Sequence, residues 1–503
     1  MNVILISPRR GPLEPAAPDH GRKSRRTRYP SGLHSIAANL EAHGHDVAVV
    51  DLEIEDRQLP AILAGARPDV VGITAATANR FQAIAVAREV RAAVPDTVIV
   101  AGGPHFTFTA EDTLTHVPAI DVVARGEGEV TMLELLQSLA AGSPRADVAG
   151  ISYVSGGTVV HNADRTPIQD LDQLPPLNWE RIPWARYDYR FMNMPCVSLQ
   201  TGRGCPINCS FCSTTRMWGK HLRWRDPVRV VDDIAHLLER YPFEAVFFDD
   251  DTFTLNRRHL LGICAEIERR GLKFNWICQS RVDTVNRDIL ATMKRAGCCY
   301  VYFGVETGSE KMLASIHKRI TGAQVLETVR DCRAVGLLSH ALCMYSLPDE
   351  TDEDRRQTFA FMEELIAAGL DSFSANPTII YPGTEVEATA RARGVLPADF
   401  SWSEPFSNPP HPAVPVELLN TPLYTETLAL DDLLALKEEV LAMRRPLQTA
   451  LRAREAHAYQ SVPRYLWGFT RVRSGEELRE RVRRGQEMAA TLTRRGRRGE
   501  PEG

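Results

Sequence analysis

Gly202-Arg203-Gly204-Cys205-Pro206-Ile207-Asn208-Cys209-Ser210-Phe211-Cys212 is the stretch on which the reading of this chain turns. Three cysteines spaced C-x3-C-x2-C on one short loop offer three thiolates, enough for three irons of a [4Fe–4S] cube. The fourth iron is then left without a protein ligand. Electron-transfer clusters normally take four cysteines, so this spacing points to a cluster kept open for a ligand from outside the chain. A structural zinc site is the alternative. Zinc takes four ligands, commonly as two separated pairs, and the chain holds no second C-x2-C pair.

Outward from this loop, apolar strand-like runs alternate with amphipathic helical ones. Strands are expected at Cys196–Gln200, Ala245–Asp249, Phe274–Gln279, Tyr300–Val305, Ser339–Tyr345 and Ser372–Ile380. Helices are expected between them at Val228–Arg240, Arg257–Arg270, Arg287–Ala296, Ala323–Val335 and Asp352–Ala368. Six βα units over residues 195–385 make an incomplete barrel, whose chemistry belongs at the C-terminal face of its strands. The cysteine loop follows the first of these strands, where that rule puts it.

Residues 1–150 show a second βα series, with strands expected at Val3–Ser7, Asp46–Asp51, Val70–Thr74, Val98–Ala101 and Asp121–Ala124. Near-continuous apolar strands alternating with alanine-rich helices predict a doubly wound parallel sheet covered on both faces. Such sheets bind ligands beyond the carboxyl ends of their strands. The Pro-, Gly- and Arg-rich segment Arg9–Arg28 reads as a loop after the first strand. Residues 151–194 read as a connector with a short strand pair around Ile151–Val160. Residues 386–503 read as mostly helical, with helices around Leu430–Met443 and Gly475–Thr493 and a basic tail through Arg494–Arg498.

Composition narrows the function classes. The 503 residues are 44% hydrophobic and 24% charged, with a formal net charge of -5. That balance gives no global basic field for nucleic acid, and no apolar run approaches the roughly 18 residues of a membrane span. Met1–Pro8 reads as a buried first strand rather than a signal peptide. All ten cysteines lie at or beyond Cys196. Thiols kept for an iron–sulfur cluster predict a reducing compartment, the cytoplasm.

The cysteine loop, with Phe211 before its last cysteine, resembles that of radical S-adenosylmethionine enzymes. So do the strand ends Phe247–Phe253, Trp276–Arg281 and Phe303–Ser309. The resemblance implies a [4Fe–4S] cluster on Cys205, Cys209 and Cys212, and adenosylmethionine contacts at Phe211, Gln279, Ser280, Arg281 and Glu306. Glu306 suits the amine or ribose, Arg281 the carboxylate through a paired contact, and Gln279 and Ser280 the ribose hydroxyls. Structural ion pairs are the alternative for Glu306 and Arg281. Asp249–Asp251 suits either magnesium or helix capping. Ser346 and Asp349 stand where the family usually carries glycine, which puts the local backbone shape in question.

The first domain resembles the cobalamin-binding domain of cobalamin-dependent radical enzymes. The matching runs are Tyr29–Gly32, Gly44–Val47, Gly72–Thr77, Gly102–His105 and Gly126–Glu129. The resemblance implies cobalamin contacts at Thr74, Ala75, Thr77, Gly102, Gly103, His105, Gly126 and Glu127. An ordinary Rossmann-like fold using its glycines as turns is the alternative. The D-x-H-x-x-G signature that brings a histidine to cobalt is absent, since Asp19-His20-Gly21 has another spacing. No cysteine precedes Cys196, which argues against the methylthiotransferases, whose N-terminal domain holds a second cluster.

Together these resemblances imply an α/β protein with a Rossmann-like cobalamin-binding domain, a partial (βα)6 TIM-like barrel and a C-terminal helical region. The implied activity is methylation of an unactivated carbon of a small molecule, a secondary-metabolite intermediate on family grounds. Electrons would come from an external donor such as flavodoxin or ferredoxin. An oxidoreductase or cyclase with the same cofactors, as among tetrapyrrole cyclases, is the second reading. A corrinoid-binding or redox-sensing regulatory protein is the third.

Overall fold

The computed structural model describes residues 1–9, 28–408 and 420–458. Most of Arg9–Arg28, the later part of the proline-rich 405–415 segment, the expected helix Gly475–Thr493 and the arginine-rich tail lie outside the described residues.

The first sheet contains β1 (Asn2–Ser7), β2 (Asp46–Asp51), β3 (Val70–Thr74), β4 (Val98–Gly102) and β5 (Val122–Ala124), all parallel. Its order begins β2-β1-β3-β4-β5, so the winding direction reverses between β1 and β3. β1 shows why both faces are covered. Val3 and Leu5 pack into one apolar layer and Ile4 and Ile6 into the other, which is the period of two that a strand imposes. The strand pair expected in the connector, β6 (Ile151–Ser155) and β7 (Thr158–His161), extends this sheet antiparallel beyond β5.

The second sheet begins with the short hairpin of β8 (Arg190–Phe191) and β9 (Met194–Leu199). The cysteine loop rises from a separate two-stranded ribbon, β10 (Gly202–Arg203) with β11 (Arg223–Trp224). Then follow β12 (Ala245–Phe248), β13 (Asn275–Ser280), β14 (Cys298–Glu306), β15 (Leu338–Tyr345) and β16 (Ser372–Pro377). The order is β16-β15-β14-β13-β12-β9-β8, with β9 and β12–β16 parallel. Six parallel strands thus form an open barrel wall whose β9 and β16 do not pair, as expected. A C-terminal helix, Leu430–Ala458, lies along β16.

The main core lies between this wall and its outer helices, around Trp276, Cys278, Val301, Phe303, Val305 and Phe373. Among the described residues no helix is long and apolar enough to cross a membrane.

Candidate active site between the two sheets

The cysteine loop is held at both ends and in the middle. Gly204 takes φ +100°, and a Cβ there would run into the His221 carbonyl, so the turn from β10 into the loop requires glycine. Cys205 N–H donates to Gly219 O at 3.2 Å, and Thr215 Oγ1 donates to the carbonyls of Cys205 and Ile207 at 3.1 and 2.8 Å. Ser210 N–H donates to Ile316 O, and Ser210 O accepts from Glu385 N–H and Val386 N–H. Phe211 wedges between two apolar clusters, one around Met312 and Ile316 and one around Val386 and Tyr424.

Among the described residues no three His, Cys, Asp or Glu side chains converge on a point that would hold one metal ion. A tetrahedral zinc requires such convergence. A cube takes each cysteine on a different iron, and three cysteines of one loop suit it. The other seven cysteines are buried and scattered through the barrel. Burial raises the Cys209 thiol to about 11, against the pull of the nearby Lys318 charge. Metal binding would displace that proton.

Beside Cys209 runs a chain of charges. Arg281 donates to both oxygens of Asp283 at 2.9 Å and to the Lys318 carbonyl at 2.7 Å. The Lys318 ammonium meets Glu306 Oε1 at 2.5 Å, with both side chains buried. Glu306 and Arg281 are therefore brought together, each with a protein partner. Lys318 is the residue the sequence reading missed. Its flanking His317 and Arg319 hold left-handed φ of 56° and 57°, as does Glu306 at 69°. Such strain clusters at functional sites, but it has no mark in the sequence. Gln279 lies half-buried at the end of β13. Ser280, expected at the ribose, is instead buried on the helix side, 2.7 Å from the Thr254 hydroxyl, because strand alternation turns it away from Gln279.

The acidic run does not gather on a metal. Asp249 pairs with Arg28 at 3.0 Å and Asp251 accepts from Thr214 Oγ1 at 3.0 Å. Asp250 accepts from Thr201 N–H, Thr201 Oγ1 and Gly202 N–H, which anchors the foot of the β10–β11 ribbon. Burial raises Asp250 to about 7 and Asp251 to about 6.

A cavity of about 930 Å³ opens between the sheets, near the top of the roughly 300–1,000 Å³ range of small-molecule sites. One wall consists of the carboxyl ends of β1, β3, β4 and β5, including the β1/β3 reversal, through Ser7, Thr74, Ala75, Gly102, Gly103 and Gly126. The other wall includes Ser198, Gln200, Gly202, Arg203 and Trp218 from the stem of the cysteine loop. At Gly103, φ is +88° and a Cβ would meet Thr74 Oγ1 at 2.5 Å. Gly103 is therefore required for the close approach of the β4 end to β3, and it leaves backbone exposed along this wall of the cavity.

Two expected corrinoid contacts do not reach this cavity. His105 is fully buried behind its wall, with Nδ1 3.3 Å from Thr77 Oγ1 and its ring against Phe106 and Trp402. Burial and the Arg80 charge hold it well below the usual histidine pKa. Thr77 is taken up by the same contact. Among the described residues lining the cavity there is no histidine.

Glu127 lines the cavity, but its carboxylate is already engaged. Arg203 reaches Glu127 at 3.0 Å and Glu129 at 2.6 Å, and Arg223 reaches Glu127 at 2.8 Å. All four side chains are less than a tenth exposed. This network ties the helix Gly128–Ala141 of the first sheet to the stem two residues before Cys205.

The Radical SAM superfamily model matches residues 199–362, and the B12 binding domain model matches residues 21–136. A protein of Pyrococcus horikoshii named uncharacterized methyltransferase PH0819 is 35% identical over 79% of this chain and 84% of its own length. The anaerobic magnesium-protoporphyrin IX monomethyl ester cyclase of Rubrivivax gelatinosus is 33% identical over 66% of this chain and 61% of its own. Among solved structures, the cobalamin-dependent S-adenosylmethionine radical enzyme OxsB, with aqua-cobalamin and S-adenosylmethionine bound, superposes with TM-score 0.69. That match covers 97% of this chain and 70% of OxsB at 16% identity, a likeness of fold. With a three-cysteine loop whose stem borders a cavity at the strand ends of the first sheet, and both family models on one polypeptide, this chain belongs to the cobalamin-dependent radical S-adenosylmethionine enzymes.

Proposed function

We propose that the chain methylates an unactivated carbon of a small-molecule substrate. The observation that carries this reading is the shared cavity, walled on one side by the glycine-lined strand ends of the first sheet and on the other by the stem of the cysteine loop. When bound, the cluster with adenosylmethionine supplies hydrogen removal from the substrate, and cobalamin supplies the methyl group. The protein's own work is placement and exclusion of water.

In this reading Cys205, Cys209 and Cys212 hold three irons. Lys318, Glu306 and Arg281 hold the amino-acid end of adenosylmethionine, exchanging part of their mutual pairing for it, while Phe211 and Gln279 border the rest. Gly102, Gly103 and Gly126 admit the corrinoid to the backbone, and Thr74 offers its hydroxyl to the tail. A corrinoid held in this cavity would meet no histidine among the described lining residues. Electrons arrive from a flavodoxin or ferredoxin in the cytoplasm.

The test is anaerobic reconstitution followed by mass analysis of candidate metabolites. Cys205→Ala, Cys209→Ala and Cys212→Ala should each lose the brown cluster absorbance and formation of 5′-deoxyadenosine, while Cys264→Ala keeps both. A product heavier by one methylene unit supports methyl transfer. A product of any other mass change would favour the cyclase-type chemistry for which the Rubrivivax gelatinosus relative is named.

A further inference from the structure

The barrel wall has two faces. Phe303, Val305, Ala341, Cys343 and Phe373 face the outer helices as part of the main core. The residues of opposite parity face the lumen, and there Tyr302, Leu342, Met344, Ser374 and Asn376 are only half-buried in strands that are otherwise almost fully covered. Cys196, Phe247, Ile277, Tyr300 and Leu338 form an apolar floor below them. This upper part of the wall keeps some exposure and mixes an aromatic ring, apolar side chains and uncharged polar groups, with the Arg28–Asp249 pair beside Phe247.

The open edge at β16 is covered by the helix Leu430–Ala458, which the sequence reading left without a role. Two cations seven residues apart share one face of it. Lys437 is 8% exposed, and its Nζ donates to Ala375 O at 2.8 Å and Asn376 Oδ1 at 2.5 Å, both uncharged acceptors. The Nε of Arg444 is buried without a hydrogen-bond partner, and its charge bears on Tyr300, Tyr302, His340 and Lys437.

Among the described residues neither cation forms a salt bridge, whereas the other cations nearby are matched: Arg28 with Asp249 and Lys318 with Glu306. Lys437 is buried and Arg444 half-buried, and two like charges so placed with no ion pair between either and a carboxylate are unfavourable neighbours. Burial and Arg444 together push Lys437 down to about 8, and an anion set between the two would reverse that push. Capping the free edge of β16 explains a hydrogen bond from Lys437. It does not explain the second cation.

We propose that the lumen binds an oxyanion of the substrate, a carboxylate or a phosphate, against Lys437 and Arg444. The substrate is then an organic acid or phosphate ester, held by its charged end at the C-terminal helix. The word substrate rests on the methyl-transfer reading, but the anion site does not, since binding needs no turnover.

The test uses full-length protein loaded with cluster and cobalamin and saturated with adenosylmethionine, so that Lys318 and Glu306 are already engaged. Benzoate, phenyl phosphate and the neutral benzamide are the probes, followed by ligand-observed NMR. At least one anion should bind about tenfold more tightly than benzamide. Benzoate ahead of phenyl phosphate assigns a carboxylate, and the reverse order a phosphate. K437Q keeps a donor for Ala375 O but lacks the charge. It and R444M should lose the preference while retaining cluster absorbance and adenosylmethionine affinity. K437R should retain it. Equal binding of benzamide, or an undiminished preference in K437Q and R444M, would overturn the proposal. Failure of methyl transfer with the anion preference intact would leave this site standing and remove only the reaction.

Discussion

Ser346 and Asp349 both hold left-handed backbone, φ 62° at each, in the loop after β15. These are the two positions where the resembling family usually has glycine, so the loop keeps its shape and bears the strain. Hydrogen bonds over-determine it: Ser346 N–H donates to Glu350, Ser346 Oγ donates to Tyr424 O at 2.6 Å, and Asp349 pairs with Arg393. A β-branched residue tolerates φ > 0 worst. Ser346→Val should therefore destabilise by about 2–3 kcal/mol, read as a lower denaturation midpoint. Ser346→Gly, which relieves the backbone but loses the hydroxyl, should cost about 1 kcal/mol or less. Lys318 sits in a comparable setting, with left-handed residues on both sides. Lys318→Met should preserve cluster absorbance and weaken adenosylmethionine binding about tenfold or more, the usual loss for a charge-assisted contact of roughly 1.5–3 kcal/mol. Unchanged affinity by equilibrium dialysis would return Lys318 and Glu306 to a purely structural pair.

At the scale of elements, what could be read in the sequence was what local chemistry writes there. The helix Asp352–Ala368 matches its expected bounds because Thr351 caps it reciprocally with Asp354 and Gly369 closes it in left-handed backbone. The last strand was expected to reach Ile380 but stops at Pro377. Beyond it Ile379 makes only a bridge to Leu423, a partner more than 40 residues away that no local pattern announces. The cysteine loop could be singled out because its C-x3-C-x2-C spacing is written in consecutive residues. Its anchors Asp250, Thr215 and Ile316 were not, because they depend on tertiary placement. Asp250 carries a measurable consequence. An unfolded aspartate titrates near 3.9, while burial keeps Asp250 protonated to about 7. Between those values the folded chain binds more protons than the unfolded one, so this group lowers stability as pH rises. Asp250→Asn should flatten the decline in urea midpoint between about pH 4 and pH 7. A variant whose midpoint tracks the wild type across that window would show that the hydrogen bonds from Thr201 and Gly202 keep the carboxylate ionised.

Across the whole molecule, the two sheets are joined by buried charge and by a shared core. The glycines of Gly126-Glu127-Gly128-Glu129 signalled a strand end, and Gly126 does line the cavity. The glutamates belong to a network with Arg203 and Arg223 that spans more than 70 residues of sequence, and only the fold reveals it. Glu129→Ala would leave Arg203 buried with less compensation, a loss of roughly 3 kcal/mol. In calorimetry a single transition should broaden or split in that variant, and an unchanged sharp transition would mean that the network bears no load. Tyr29 makes the second join. It precedes the helix Ser31–Ala42 of the first sheet, yet its ring packs edge-on to Trp179 and Trp184 within the barrel's own core, and its hydroxyl donates to Ser198 O at 3.0 Å. A ring that belongs to one unit by sequence and to the other by packing makes the order of synthesis matter. The N-terminal unit leaves the ribosome first and must wait, with an aromatic side chain uncovered, until Ser198 and the tryptophans emerge. Cutting the chain between the sheets would accordingly yield two sticky halves rather than two working modules, each completing the other's interior.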